Sequence, residues 1–169
     1  MKIKKTSDPQ HGYENKDVLY IETEQHRNDV FRLMSLLALE LMETGNEHDW
    51  SKIEYFDQFA QDTLERKDTP DFKSRPWYKV HTTEERHHLT ANTPNDVDLV
   101  DVIEFICDCV VAGKARTGRV EKKYLELPAD VLKKAFWNTV DKMTKEVKVE
   151  KWLKKLVKIV FIMILRVVV

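Results

Sequence analysis

The chain has 169 residues, of which 42% are hydrophobic and 34% are charged. A single globular domain of this length and balance is long enough to bury a core without disulfides or a structural metal. Few glycines and prolines, together with apolar residues at helical spacing, predict an all-α fold. The polar N-terminus lacks the apolar run of a secretory signal, and we expect a cytoplasmic protein.

The net charge of -1 conceals two halves of opposite sign. Residues 1–112 hold 13 basic and 23 acidic side chains, whereas residues 113–169 hold 15 basic and 6 acidic ones. An acidic half suits cation binding, and a basic half suits a phosphate-bearing ligand, nucleic acid or an anionic membrane surface. Mutual attraction of the two halves is the alternative explanation.

The first predicted helix, residues 17–44, follows an arm, residues 1–16, that we expect to be flexible. Its apolar residues recur at steps of three and four. His26 falls on this apolar stripe and is therefore predicted to point inward. The alternative to metal binding for His26 is a core histidine that is hydrogen-bonded to a neighbour.

A His-Asp pair follows the first helix. Gly45 is a suitable left-handed end for that helix, and Ser51 with Glu54 has the spacing of a capping box for the next one. His48 and Asp49 are therefore predicted at a helix start, which is a rigid place to mount ligands. An imidazole and a carboxylate side by side offer a divalent cation one nitrogen and one oxygen ligand, and the acid can bridge two metals.

Three of the six histidines lie within eight residues, after a predicted surface loop at residues 67–76. They are His81, His87 and His88, inside residues 77–89, where a short helix is predicted. Helical spacing puts His81 and His88 on one side and points His87 elsewhere. We expect at least one of the three to bind a metal, and a surface histidine cluster is the alternative.

A helix predicted over residues 96–112 carries a row of carboxylates and is closed by Gly113. Asp108 lies within its apolar part, where a carboxylate is costly unless it is paired or metal-bound. For Asp101 and Glu104 we expect an exposed acidic edge instead. The helix therefore offers one candidate ligand.

The remainder of the chain is basic and then apolar. A helix from Pro128 to about residue 148 completes a helical domain, residues 17–148. The final segment, residues 149–169, is too short to span a bilayer, which needs ~20 apolar residues. We expect it to pack on the domain or at a subunit contact, such as that of a homodimer, and an interfacial membrane anchor is the alternative.

The order of the candidate ligands resembles the signature of the HD-domain superfamily, which consists of all-helical metal-dependent phosphohydrolases. His26 on one helix, His48-Asp49 on the next and Asp108 on a later helix match that order. The resemblance covers roughly residues 20–112. It implies an HD-domain-like bundle of about five to six helices.

Two further motifs extend the resemblance. The doubled His87-His88 is similar to the paired histidines of HD branches that hold a second or third metal. The pattern Glu-His-Asp-x-Ser-Lys, which ends at Lys52, and the later Arg-His-His, which begins at Arg86, resemble an uncharacterised HD-like family of phages and bacteria.

The resemblance implies hydrolysis of a small phosphorylated substrate, a nucleotide or related phosphoester, by hydroxide generated on one or two divalent ions. Mixed nitrogen and oxygen ligands favour Mn, Fe, Co or Zn, with Mg as a further candidate. Asp49, Lys52 and Arg86 would act in catalysis, where Lys52, Arg86 or a basic residue of the connector at residues 114–123 would stabilise charge on the phosphoryl oxygens. The implied metal ligands are His26, His48, Asp49, His87, His88 and Asp108.

Two departures prevent the transfer of a substrate class from the superfamily. Lys52 stands where the nucleotidase branch commonly has an acid, and Leu89 follows the doubled histidine where the cyclic-dinucleotide branch has a Glu. The alternative function is a non-catalytic HD-like protein that binds nucleotide, nucleic acid through the basic C-terminal half, or a host protein. A membrane-associated adaptor that uses the apolar tail is a third hypothesis.

Overall fold

The computed structural model describes residues 1–7, 9–64 and 72–150. Within them the fold is an all-α helical bundle, as predicted, with one pair of short strands. The elements are β1 Lys2–Ile3, α1 Lys16–Glu47, α2 Trp50–Glu54, α3 Phe56–Leu64, α4 Pro76–Glu84, α5 Leu99–Thr117, α6 Ala129–Glu146 and β2 Lys148–Val149. The predictions for residues 67–71 and for the apolar tail beyond residue 150 lie outside the described residues.

The chain divides into two compact units, and the first contains the described residues up to Leu33 and from Thr144 onward. In this unit β1 and β2 pair in parallel, with Lys2 opposite Lys148. The side chain of Ser7 donates to Glu22 on α1 over 3.0 Å, and its backbone N–H donates to the same carboxylate over 2.9 Å. The N-terminal arm, which we expected to be flexible, thus has defined partners in this structure.

The second unit, Met34–Met143, contains the hydrophobic core. Val102 and Phe105 on α5 pack with Ala135 on α6 and with Leu89 and Val97 from the segment before α5. The residues on α5 are three apart, so they lie on one face of the helix. The core therefore fixes α5 against α6 and against the segment that follows α4.

The start of α5 is held by a capping box. The Asp98 side chain accepts from the backbone N–H groups of Val100 and Asp101, and the Asp101 side chain accepts from the Asp98 backbone N–H. Thr139 on α6 accepts from the Leu99 N–H over 2.8 Å, and Lys142 donates to Asp98 over 2.8 Å. The first turn of α5 therefore leaves none of these donors without a partner.

Both glycines that were predicted to end helices lie inside them. Gly45 is within α1, which continues to Glu47. Gly113 is within α5, where an added Cβ would lie 2.9 Å from the carbonyl oxygen of Arg119. The helix ends instead at Gly118, whose φ of 75° is the left-handed value that glycine adopts most easily. Close backbone approach, rather than helix termination, accounts for a glycine at position 113.

The second predicted helix is broken into two. The break falls at Tyr55, between α2 and α3. Ser51 does not cap α2, because it lies inside the helix and is buried, so the predicted capping box is wrong. The hydroxyl of Ser51 is instead used in the site described below.

No helix among residues 1–7, 9–64 and 72–150 has the combination of length and apolar character that a bilayer crossing requires.

Asp101 is not part of an exposed acidic edge, as the sequence had led us to expect. It is only 3% exposed and accepts two hydrogen bonds from Arg86, of 2.7 and 2.8 Å. Arg86 also donates to Asp96 over 3.1 Å. These contacts raise the pKa of Arg86, the bond to Asp101 contributing most. Arg86, which was predicted to contact a phosphoryl group, joins the segment after α4 to α5.

We expect Arg86→Ala to lower the free energy of unfolding by about 2 kcal/mol, measured in urea. The buried carboxylate of Asp101 would lose its cation, and breaking such pairs costs about 3–5 kcal/mol when they are fully buried. The Arg86 side chain is 45% exposed, which reduces the expected cost. The matched control is Arg27→Ala, which removes an exposed pair on α1 and should change stability little. Equal stability of both variants would contradict a structural role for Arg86.

Candidate metal centre

The turn between α1 and α2 carries the His-Asp pair. Asp49 has φ 59° and ψ 25°, and it is the one residue other than glycine with positive φ in the part of the chain that the structure describes. Aspartate tolerates this left-handed conformation better than most residues, yet such a backbone costs of order 1–3 kcal/mol and is typical of functional sites. The turn holds His48 and Asp49 partly buried between α1 and α2.

Four potential ligands converge on one point in the second unit. The side chains of Asp49, His81, His87 and His88 each offer a ligand atom, and these atoms all lie within 4.8 Å of one another. Asp49 Oδ1 lies 3.5 Å from His81 Nε2 and 3.7 Å from His87 Nε2. Neighbouring ligands that share one transition-metal ion at ~2.1 Å stand about 3.0–3.5 Å apart. The first separation falls in this range, and the second exceeds it by 0.2 Å.

Two of these ligand atoms are buried without a hydrogen-bond partner. They are Asp49 Oδ1 and His87 Nε2. A buried polar atom without a partner costs roughly 1–3 kcal/mol, and native proteins rarely leave one unexplained. Three imidazoles and a carboxylate are a ligand set that transition metals prefer, and a bound ion would satisfy both atoms. The residues therefore fit a divalent transition metal.

His81 and His88 are held in the neutral form that binds metals. Burial contributes most to lowering the pKa of His81 to about 3, and repulsion from His88 and from Lys52 accounts for part of the same shift. Burial, followed by the charge of His87, lowers the pKa of His88 to about 4. Their Nε2 atoms lie only 2.7 Å apart. At neutral pH both rings therefore offer a ligand nitrogen without first losing a proton.

A second layer of polar contacts orients these rings. Ser51 Oγ lies 2.7 Å from His81 Nδ1, so that the other ring nitrogen of His81 faces Asp49. The buried Glu85 accepts from the Ser51 backbone N–H over 2.9 Å and approaches the Nδ1 atoms of His81 and His87 to 3.9 Å. Serine and carboxylate partners of this kind fix the tautomer and orientation of metal-binding histidines.

A second group of potential ligands consists of His48, His87 and Glu104. His48 Nδ1 donates to Glu104 Oε1 over 2.9 Å, and His87 Nδ1 lies 3.0 Å from the same oxygen, although without hydrogen-bond geometry. Burial raises the pKa of Glu104, but the contacts with His48 and His87 outweigh it and lower the pKa to about 2. Glu104 is therefore a carboxylate that two imidazoles share, and the prediction that it lies on an exposed edge is wrong.

His48 lies among three carboxylates. Its Nε2 is 3.5 Å from Asp49 Oδ2 and 3.7 Å from Asp108 Oδ1, while its Nδ1 bonds Glu104. Asp108 and then Glu104 raise the pKa of His48 to about 10, and His48 in turn lowers the pKa of Asp108. Without a metal, His48 is therefore a cation that balances the neighbouring acids.

The structure brings most of the predicted ligands together but not His26. His26 is exposed on the part of α1 that belongs to the first unit, and it is in neither potential ligand group among the residues described. Its predicted inward orientation is wrong, because Leu19 and Val30 on the same stripe are themselves 42% exposed. The residues brought together in the second unit are His48, Asp49, His87, His88 and Asp108.

His87 joins the cluster for a reason that helical spacing did not give. α4 ends at Glu84, and the chain then turns, so the side chain of His87 is buried at 1% exposure rather than pointing away from His81. Ser51, Glu85 and Glu104 were not predicted as part of the site. Burial of Ser51 beside His81 depends on contact between distant segments, for which the sequence carries no local signal. Glu85 follows His81 by four residues, and this helical spacing is a local signal for their proximity.

A polar cavity of about 500 Å³ opens beside His81 and His88. Its wall contains Lys52, which donates to Asp49 Oδ2, and Arg116 from the last turn of α5. Asp108 reaches the same cavity. Three aromatic side chains complete the wall, namely Phe59, Trp77 and Tyr78. Trp77 stacks on His81 with ring centroids 4.7 Å apart.

Comparison with known proteins gives a family match without a function. A family model described as "Family of unknown function (DUF5662)" matches residues 16–158, which is most of the chain. No curated protein and no solved structure matches the chain. The matched residues include all of the candidate metal centre.

We expect His81→Ala to weaken binding of Mn²⁺ or Co²⁺ by more than about 100-fold, whereas His26→Ala leaves it unchanged. Ser51→Ala should fall between them, because partners that orient a ligand contribute about 10–100-fold to metal affinity. Isothermal titration calorimetry on protein stripped of metal measures all three. Loss of binding in His26→Ala with retention in His81→Ala would reverse the ligand assignment.

The free energy of unfolding of the metal-free protein, kept so by a chelator, should depend on pH. The folded-state pKa values of His88 and His81, about 4 and 3, lie below the value of 6.5 for an unfolded histidine. As pH falls from 6.5 to 4, the unfolded chain binds protons that the folded chain does not, so the free energy of unfolding falls. His48 has the opposite sign, because its contribution is full below pH 6.5 and is lost as pH rises toward about 10.

Urea unfolding between pH 4.5 and 9 measures how the free energy of unfolding changes with pH on the acid side and on the alkaline side. His88→Gln should reduce the loss of stability on the acid side and leave the alkaline slope as it is, whereas the control His26→Gln should change neither. Identical acid slopes for the wild type and His88→Gln would show that His88 is not held neutral.

Proposed function

The chain belongs to the DUF5662 family, whose function is unknown, and we propose that it is a metal-dependent phosphohydrolase with an HD-like site. The observation that carries the proposal is the convergence of Asp49 with three imidazoles on one point, where two buried ligand atoms have no other partner. The His48-Asp49 pair and Asp108 lie together beside it, as the HD signature requires. His26 departs from that signature.

A divalent ion at Asp49 would supply Lewis acidity toward a phosphoryl oxygen and lower the pKa of water near it. Mixed nitrogen and oxygen ligands favour Mn, Fe, Co or Zn, with Mg as a further candidate, and the three nitrogen ligands support the transition metals among these. Both Oδ atoms of Asp49 face imidazoles, Oδ1 toward His81 and His87 and Oδ2 toward His48. That arrangement supports one ion, or two ions that share Asp49.

The chain's own cations would receive the phosphate. Lys52 lies against Asp49 and lines the polar cavity with Arg116, so a phosphate that contacts the site would meet both positive charges. Lys52 is therefore retained as a candidate catalytic residue that stabilises charge on the phosphoryl oxygens. Arg86 is replaced in that role by Arg116, because Arg86 is held by Asp101.

The polar cavity supports a nucleotide as the substrate. Trp77 is itself packed between Phe59, at 4.5 Å, and His81, so Phe59 and Tyr78 are the wall residues on which a planar base would stack. Such stacking contributes about 1–3 kcal/mol per base. A base on this wall would leave its phosphate near Lys52 and Asp49.

The test is hydrolysis of a panel of nucleotides by protein reconstituted with Mn²⁺ or Co²⁺. We expect Asp49→Asn to reduce turnover to background and Lys52→Met to lower kcat/KM by about 10²-fold with the metal retained, because one stabilising charge is lost. The control is Lys79→Met, an exposed lysine of α4 that should leave turnover unchanged.

Metal content is measured on the same samples. Turnover that survives Asp49→Asn would contradict the proposed site, and tight metal binding without turnover of any phosphoester would favour the non-catalytic alternative.

A further inference from the structure

A second cavity, of about 340 Å³, borders the second group of potential ligands. Three residues of the site line it, namely His48, Glu104 and Asp108. Its walls are mostly apolar and come from the end of α1 and from α5. The wall residues are Leu41, Thr44, Gly45, Ile103, Cys107 and Val111. We call it the apolar cavity.

The apolar cavity opens to solvent through hydrophobic side chains. Ile103 is 39% exposed and Val111 is 67% exposed. Exposed apolar surface of this kind costs roughly 25 cal/mol for each Å² that could be buried, and concave apolar surface beside polar groups is typical of ligand sites. The cavity has room for on the order of ten atoms of water size.

The two cavities have one lining residue in common. Asp108 lines both, while His48 and Glu104 face the apolar cavity and His81 and His88 face the polar one. A phosphoryl group bound beside Asp108 would border both cavities, with one substituent directed into each. The polar cavity suits a planar or hydrophilic group, whereas the apolar cavity suits a hydrocarbon.

We propose that the substrate is a phosphodiester in which one ester group is apolar and occupies the apolar cavity. This inference rests on the proposed function and adds the substrate class to it. Water adds to phosphorus, the bond from phosphorus to the apolar ester oxygen breaks, and the proton lost by the water ends on that oxygen. The products are a phosphomonoester and a neutral apolar alcohol.

Position 45 gives a way to fill the cavity without disturbing the fold. Gly45 lies inside α1, and a Cβ added there would have no atom within 4 Å. Replacement of a helical glycine should itself stabilise the helix. Gly45→Leu therefore fills the cavity from one wall, and Gly45→Ala is the matched control that leaves most of the space. Ile103→Trp fills it from the opposite wall.

The probes are alkyl esters of adenosine 5′-phosphate with one, four, six and eight carbons in the chain, assayed with Mn²⁺-loaded protein. For the wild type, kcat/KM should rise by about twofold to fourfold for each methylene that becomes buried. Gly45→Ala should keep this dependence on length. Gly45→Leu and Ile103→Trp should lose the gain from longer chains, measured as the ratio of each variant's octyl-ester rate to its own methyl-ester rate.

A binding measurement separates this inference from the proposed function. Alkylphosphonates of the same chain lengths are not hydrolysed, and calorimetry on the Mn²⁺-loaded wild type should give affinity that rises with length and a negative heat-capacity change. That result without turnover of any ester would contradict the proposed hydrolase function but would still support binding of an alkyl chain in the apolar cavity.

Affinity and kcat/KM that do not depend on chain length would overturn the inference. So would a Gly45→Leu protein that matches the wild type with the octyl ester. A change in oligomeric state in Gly45→Leu, with no change in dependence on chain length, would assign the cavity to a second copy of the chain and would also overturn it.

Discussion

The site depends on one carboxylate that two imidazoles share. Glu104, on α5, accepts from Nδ1 of His48 and lies 3.0 Å from Nδ1 of His87. Each ring therefore turns its Nε2 toward Asp49. The hydrophobic core that fixes α5 also fixes Glu104. The left-handed turn at Asp49 places the Asp49 carboxylate next to the rings of His48 and His87. Packing and chemistry are linked through this single helix.

Charge balance explains why so many acids and histidines can lie close together. Glu104, Asp49 and Asp108 surround His48, whose pKa of about 10 keeps it cationic, and Lys52 adds a second positive charge at Asp49. Each of these three acids therefore has a cationic neighbour, which removes much of the cost of burial. The acidic half of the sequence is not simply a solvated surface, since part of it faces inward around these cations.

The sequence predicted the helical class and five members of the cluster, because periodicity and residue type report on local structure. The start of α6 near Pro128 was found in the same way. Prediction from the sequence failed where tertiary contacts decide whether a residue is buried or where a helix ends. His26 lies on an apolar stripe that remains exposed, and Gly113 is needed for a close backbone approach that no local pattern reveals. The inward turn of His87 depends on where α4 ends.

The histidines of the site differ in what they must do before a cation can bind. His81 and His88 are already neutral, so their ligand nitrogens are available at neutral pH. His48 is protonated between Asp108 and Glu104 and would have to release a proton first. An ion therefore meets less competition from protons on the side of His81 and His88 than on the side of His48. This asymmetry favours occupation of the group around Asp49 Oδ1 first, with His48 left as a balancing cation until a second ion displaces its proton.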